Sequence, residues 1–273
     1  MDNKINNSNL LPGGGKKVIE ILWTGGWDST FRVVELSREE NIIIQPIYVI
    51  DPNRVSTEYE KRSMDEILTL LKQRPETKAD FMPIKMYKLE DIPQDPNISK
   101  AFHTIHAATK LGSQHEWLAW LGKLHPNMEM GTEAGSAKTS HIIAAIEQFC
   151  TLDVKEDCGY VNHKKSTEEG KLVLGWFTFP IITRTEADML KTIKKWGYED
   201  VMKHIWFCHD PLNGEPCGFC HPCDVKMEWL LPLQSQKNYE KHKRIEKAFG
   251  KYISRVWVRY QRISQGNDTY KGR

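Results

Sequence analysis

A chain of 273 residues can bury a sizeable core, and α/β domains of this length often stand as one unit with additions, so one main domain is expected. With 38 Lys and Arg against 36 Asp and Glu, the net charge of +2 gives no whole-chain electrostatic argument for nucleic acid or for a membrane surface. No run is long enough to cross a bilayer. Four of the six cysteines fall between Cys208 and Cys223, which suits metal binding in a reducing compartment, the cytoplasm by default, better than a disulfide framework.

Residues 1–16 are polar, rich in Asn and end near Pro12-Gly13-Gly14-Gly15, which reads as a flexible leader without the apolar centre of a signal peptide. Val18 to Leu22 is an apolar run expected as a buried parallel strand, and helical spacing returns from Phe31 to Glu40. Between them lies Trp23-Thr24-Gly25-Gly26-Trp27-Asp28-Ser29-Thr30, a strand-to-helix turn. Gly25 and Gly26 let the backbone approach a ligand, while Asp28, Ser29 and Thr30 suit a helix start whose free amides and dipole favour an anion. A phosphate would fit there, although plain turn-and-cap chemistry uses the same residues.

Asn41 to Ile50 predicts a second strand, whose Tyr48 and Val49 either line an adenine pocket at the sheet edge or are simple core. Ser56 to Lys72 reads as an amphipathic helix through Met64, Ile67, Leu68 and Leu71, and Phe81 to Leu89 as a third strand. Asn97 to Leu124 predicts two helices broken near Gly112-Ser113; His103, His106 and His115 lack a third ligand nearby and read as solvated or core histidines. A short strand from Asn127 leads into a polar loop and a helix from Ala137 to Phe149. If the sheet is parallel, that loop shares an edge with the first one, which makes Thr132, Glu133 and Lys138 substrate-side candidates. Cys150 and Cys158 receive no role. Leu172 to Phe179 reads as another strand, and Thr183-Arg184-Thr185-Glu186 as a capping box with Thr183 as the cap, opening a helix that runs to Trp196 before Gly197. Arg184 could add a cation beside phosphates.

Cys208, Cys217, Cys220 and Cys223 have spacings that wrap a single tetrahedral ion, with zinc as the natural fit and no open position for water. His209 or His221 could replace one thiolate, and an iron–sulfur cluster is a further option. From Gln236 to Arg262 a helix is expected in which Lys and Arg interleave with Tyr239, Phe249, Ile253 and Trp257. It could contact tRNA, dock with a solvated basic face, or join a homodimer.

The loop Thr24 to Ser29 lacks the lysine of the Walker motif and resembles the Ser-Gly-Gly-x-Asp-Ser PP-loop of the ATP pyrophosphatase family, with Thr24 keeping the hydroxyl of the usual serine. Followed by Cys-x8-Cys-x2-Cys-x2-Cys, it makes the chain similar to the 7-cyano-7-deazaguanine synthases over about Lys17 to Leu231. Phe179 to Ala187 is similar to that family's Pro-Leu-x-x-x-x-Lys-x-Glu stretch, with Thr185 taken to stand at the lysine. The resemblance implies a doubly wound, mostly parallel, Rossmann-type sheet like that of the adenine nucleotide alpha hydrolases over residues 17–200. A zinc-binding and helical lobe follows over 201–273.

It also implies ATP and Mg2+ at the loop residues Trp23 to Thr30, with catalytic roles for Asp28 and Ser29; Tyr48 and Val49 beside the adenine, Arg184 as a further catalytic cation and Zn2+ on the four cysteines are expected from their own positions in the chain. The reaction implied is attack by a deazapurine carboxylate on the α-phosphorus of ATP, departure of pyrophosphate, and displacement of AMP by ammonia. One stretch departs: Gly131 to Ser140 replaces the Asp-Cys-Arg type segment that reads the deazaguanine, though Glu133 could still accept two N–H donors from a guanine-like edge. A divergent relative is thus also expected, one that passes the activated carboxylate to a partner protein, as proposed for relatives in bacterial antiviral gene clusters, or else a PP-loop enzyme of tRNA thiolation.

Overall fold

The computed structural model describes residues 15–223, 226 and 237–264, so the leader expected over residues 1–16 lies outside the described residues apart from Gly15 and Lys16. The chain forms two compact units. One takes the described residues up to Trp23, Asp28–Ile50 and Leu71–Gly197; the other takes Thr24–Trp27, Asp51–Leu70 and the described residues from Tyr198.

The elements are β1 (Lys17–Leu22), α1 (Trp27–Ser37), β2 (Ile42–Ile50), α2 (Thr57–Gln73), β3 (Asp80–Phe81), β4 (Lys85–Lys88), α3 (Pro96–Thr109), α4 (Gln114–Leu124), β5 (Met128–Glu129), α5 (His141–Phe149), β6 (Leu152–Lys155), β7 (Cys158–Val161), α6 (Glu168–Leu174), β8 (Phe177–Phe179), α7 (Glu186–Trp196), α8 (Glu199–Met202) and α9 (Lys237–Ser264). All the strands lie in the first unit, in one sheet ordered β3, β2, β1, β5, β8, β7, β6, with β4 also paired to β2. Pairing is parallel from β3 and β4 through β8, and antiparallel at β7 and β6. The architecture is therefore α/β with a mostly parallel sheet.

The expected third strand is split in two for a local reason. β3 pairs with Ile43 and Ile44 and β4 with Ile47 to Ile50, leaving a gap opposite Gln45 and Pro46. Neither Pro46 nor Pro83 has an N–H for the ladder. The Gln45 side chain fills in, its Nε2 donating to the Pro83 carbonyl at 2.9 Å and to that of Pro46 at 3.0 Å.

Ile47 and Val49 face a core built with Met128, Phe177 and Phe179 of the sheet and with Phe102, Leu118, Ile143 and Leu174 of α3 to α6. Ile21 and Ile44, on the opposite side of the pleat, are also fully buried, so both faces of the central strands are covered. This explains why β1 and β2 read as near-continuous apolar runs. Phe31 of α1 stacks on Trp196 of α7 with ring centroids 6.2 Å apart.

Two expectations are corrected. Leu172 to Leu174 is not strand: Thr167 caps α6 by accepting from the Gly170 N–H, Glu168 and Glu169 occupy its first turn, and only Phe177–Phe179 is extended. The capping box also shifts by two residues, since Thr185 is the cap of α7 and Asp188 its partner, each side chain accepting from the other's backbone N–H at 3.2 and 3.1 Å. Glu186 is thereby released from capping.

In the second unit, the Trp206 N–H donates to the Gly25 carbonyl at 2.8 Å, Ser63 Oγ donates to the His204 carbonyl at 2.6 Å, and Tyr59 stacks on Trp206 at 4.5 Å. α9 breaks at Gly250, where φ is 83° and ψ 161°. Asn238 Nδ2 donates to the Leu212 and Pro216 carbonyls at 3.0 and 3.1 Å, tying the start of α9 to the cysteine segment. Among the described residues no helix is long and apolar enough to cross a membrane.

Candidate functional site

The order of the parallel strands reverses between β1 and β5, and in open α/β sheets ligands collect at the carboxyl ends of the two strands flanking such a point. Asp28 follows β1 and Glu133 follows β5. Together with Glu186, the first residue of α7, they form a group of half-buried carboxylates whose ligand atoms all lie within 4.8 Å of one another. Three like charges this close repel, and a hard divalent cation with oxygen ligands relieves the repulsion.

Partly buried ion pairs hold the three segments in place, each segment supplying both a carboxylate and an anchor. From α1, Arg32 lies one turn beyond Asp28; its Nε and Nη2 donate to the two Glu129 oxygens at 2.8 and 2.9 Å, and its Nη1 to Glu35 at 2.6 Å. Glu129 ends β5, four residues before Glu133. Arg184 lies two residues before Glu186 and pairs with Glu35 at 3.3 Å and with Asp157 at 3.2 Å, while its carbonyl accepts from the Ala134 N–H at 2.8 Å. A Cβ at Gly131 would lie 3.0 Å from the Ser29 nitrogen, so the β5 loop runs against the first turn of α1. Burial works against the Arg32 charge, but hydrogen bonds and charge from Glu129, with Glu35 adding to them, outweigh it and hold the pKa above the ordinary value.

The other expected site residues are placed as follows. Trp23 and Thr30 are fully buried and bonded to each other, the indole Nε1 donating to Thr30 Oγ1 at 2.9 Å. Thr24 is exposed, Gly26 half-buried, and Gly25 takes φ 70° with Ser63 packed where a Cβ would sit. Trp27 is buried and its indole N–H has no acceptor among the described residues. Asp28 and Ser29 are half-buried. Val49 belongs to the core facing α3 to α6, and Tyr48 is fully buried. Thr132 is buried, whereas Lys138 is exposed in a turn closed by the Ser136 hydroxyl.

Arg184 is committed to its carboxylates and lies 5.8 Å from the Phe31 ring. His103 is exposed; His115 is buried, bonded to the Gly112 carbonyl, and burial depresses its pKa to about 4, so both stand apart from any metal group among the described residues. Sequence reasoning missed Glu186, hidden behind a mistaken cap, and missed Asp157 at the tip of the β6–β7 hairpin.

The second unit holds the other group. Cys208, Cys217, Cys220 and Cys223 are all buried, and His209 and His221 are exposed and lie outside the group, so four thiols form it. Sγ of Cys217 lies 3.8 Å from that of Cys223, and Sγ of Cys220 lies 3.9 Å from that of Cys208. A tetrahedron with metal–sulfur bonds of about 2.3 Å has edges of about 3.8 Å, so the thiols fit one ion such as zinc and leave no room for a cluster between them. Backbone N–H groups of Cys217 and Cys220 point at Cys208 Sγ (3.1 Å) and Cys217 Sγ (3.3 Å).

Comparisons with protein-family models, with curated proteins and with solved structures return no match.

Proposed function

We propose that this chain is an ATP-dependent enzyme that adenylates the carboxylate of a 7-deazaguanine-like acid, on a PP-loop scaffold of Rossmann type. The observation that carries the reading is the convergence of Asp28, Glu133 and Glu186 at the strand-order reversal beside the start of α1, where a phosphate-bound Mg2+ would sit.

On this reading the loop amides of Gly25 to Ser29, with the hydroxyls of Thr24 and Ser29, bind pyrophosphate oxygens, and Asp28, Glu133 and Glu186 hold Mg2+. The bound ion would supply neutralisation of the charge growing on departing pyrophosphate. Glu129, saturated by Arg32, keeps the β5 end rigid while the acid attacks the α-phosphorus and AMP is later displaced by ammonia. The four cysteines hold Zn2+ as a closed structural ion, and the setting is cytoplasmic.

Counted from Pro180, the lysine of the family's Pro-Leu-x-x-x-x-Lys-x-Glu stretch falls on Glu186 rather than Thr185, and its glutamate on Asp188, the capping partner of Thr185. A carboxylate thus replaces a cation beside Asp28. That inversion, together with the missing Asp-Cys-Arg type stretch, favours a second reading in which a partner-protein amine, rather than ammonia, receives the activated acid. Enclosure of the four thiols argues against sulfur transfer to tRNA.

The test is AMP release from Mg-ATP with and without 7-carboxy-7-deazaguanine, with products weighed by mass spectrometry. Acid-dependent AMP, abolished by Asp28→Ala or Ser29→Ala, is expected; a stalled adenylate would point to an absent protein nucleophile. Folded, metal-loaded protein that forms no AMP with this acid would remove the deazaguanine reading.

A further inference from the structure

Beyond the break at Gly250, the last helix carries a pattern that adenylation does not use. Residues 251–264 hold four of the chain's basic residues, Lys251, Arg255, Arg259 and Arg262, and no acidic one, so the local charge exceeds the +2 of the whole chain. Intervals of four, four and three keep these positions on one arc of a helix, and by the same rule Ile253, Val256, Trp257 and Tyr260 share the opposite arc. The apolar arc is open to solvent: Ile253 is 46% exposed, Val256 48% and Tyr260 67%, with Phe249 at 68% just before the break. Isolated exposed apolar residues are ordinary, but three in register on two turns leave a continuous stripe. Lys241 Nζ lies 4.4 Å from the Trp257 ring, at one edge of the stripe.

We propose that residues 251–264 form an amphipathic anchor that lies in the surface of a membrane containing anionic lipid. The separation of the two arcs decides among anionic partners. A nucleic acid gripped by the basic arc would leave the apolar arc in water, because the ring planes of Trp257 and Tyr260 lie on the arc opposite the positions that would hold its phosphates. A second copy packed stripe on stripe would cover the apolar arc but leave both basic arcs turned to solvent with nothing to pair them. At a bilayer surface both arcs are satisfied at once, since aliphatic and aromatic side chains enter the acyl boundary while Lys and Arg reach the headgroups. The inference stands independently of the adenylation reading.

The experiment is co-sedimentation of the full chain with vesicles of phosphatidylcholine alone or with about one-third phosphatidylglycerol. Binding to the anionic vesicles only is expected, weakening as NaCl rises from about 0.1 M to about 0.5 M. Arg255→Gln with Arg259→Gln should weaken it about 30-fold, at about fivefold per charge. Val256→Asp should abolish it, with the melting temperature and bound metal unchanged. Absence of binding to anionic vesicles, binding indifferent to Val256→Asp, or capture instead by a labelled single-stranded RNA that vesicles fail to displace would each overturn the proposal.

Discussion

Glu186 is the residue on which the candidate cation site can be judged most directly. Two carboxylates 4.8 Å apart repel by about 3 kcal/mol at an effective dielectric of ~20, a repulsion that a cation shared by the three would relieve. Glu186→Gln should therefore melt at a higher temperature than the natural chain without divalent ions, and gain less from added Mn2+, with half-saturation moved up about tenfold. Thermal melts across a Mn2+ series check both signs; a variant that is less stable without metal would mean the three carboxylates do not share an ion. His115 makes a separate prediction about acid stability. Burial depresses its pKa to about 4 from 6.5, so the unfolded chain binds more protons between those values and stability is lost as pH falls through that window. The loss should reach about 2 kcal/mol by pH 5. Denaturant titrations at pH 7 and pH 5 should find a smaller acid loss in His115→Asn, which keeps a donor for the Gly112 carbonyl; an equal loss in both proteins would place the acid sensitivity elsewhere.

At the scale of elements, the cysteine turn depends on one glycine. Gly218 sits at φ 77°, and a Cβ there would lie 2.4 Å from the backbone nitrogen and Cα of Tyr239, in the first turn of α9. Backbone cannot rotate away as a side chain can, so Gly218→Ala should cost more than the roughly 1–2 kcal/mol of left-handed strain alone. Substoichiometric metal and an early thermal transition are expected, read by metal analysis and calorimetry; full metal content at the natural melting temperature would contradict the close approach. This need was invisible in the sequence, because the partner backbone is 21 residues away. What the sequence made legible was local: the apolar runs of β1 and β2, the break at Gly112-Ser113, Gly197 ending α7, and the thiol spacing. Leu172-Val173-Leu174 was misread because a short apolar run has no period of its own, and the decisive signal was upstream, in Thr167 with Glu168 and Glu169. The β6–β7 hairpin escaped because its turn puts Glu156 and Asp157 at positive φ, a role usually taken by Asn and Gly. The site was half legible, since Asp28 and Glu133 stand out in polar loops, whereas Glu186 matters only through α7 and the anchoring of Arg184.

At the scale of the whole molecule, the four-thiol group and the glycine loop belong to one unit, and the chain linking them is short. Trp206 lies two residues before Cys208, donates its indole N–H to the Cys208 carbonyl at 2.8 Å and its backbone N–H to the Gly25 carbonyl at 2.8 Å. A structural zinc contributes on the order of 10–16 kcal/mol in zinc-finger peptides, as much as the whole stability of a typical domain, so loss of such an ion from these thiols would be enough to unfold the segment that carries Trp206. The first unit has its own core around Ile47, Phe102 and Phe179. Stripping metal from the thiols with a strong chelator should therefore act selectively: amides around Trp206 and Cys217 should exchange with solvent hydrogen much faster, the ATP binding proposed for the glycine loop should fall with them, and the strands β1 and β2 should keep their protection. Hydrogen-exchange mass spectrometry with and without chelator measures all three regions together. Unchanged exchange at Trp206 would mean that the thiols need no ion to hold their turn. Equal loosening of β1 would mean that the units unfold as one, and that the metal supports the sheet as well as the loop.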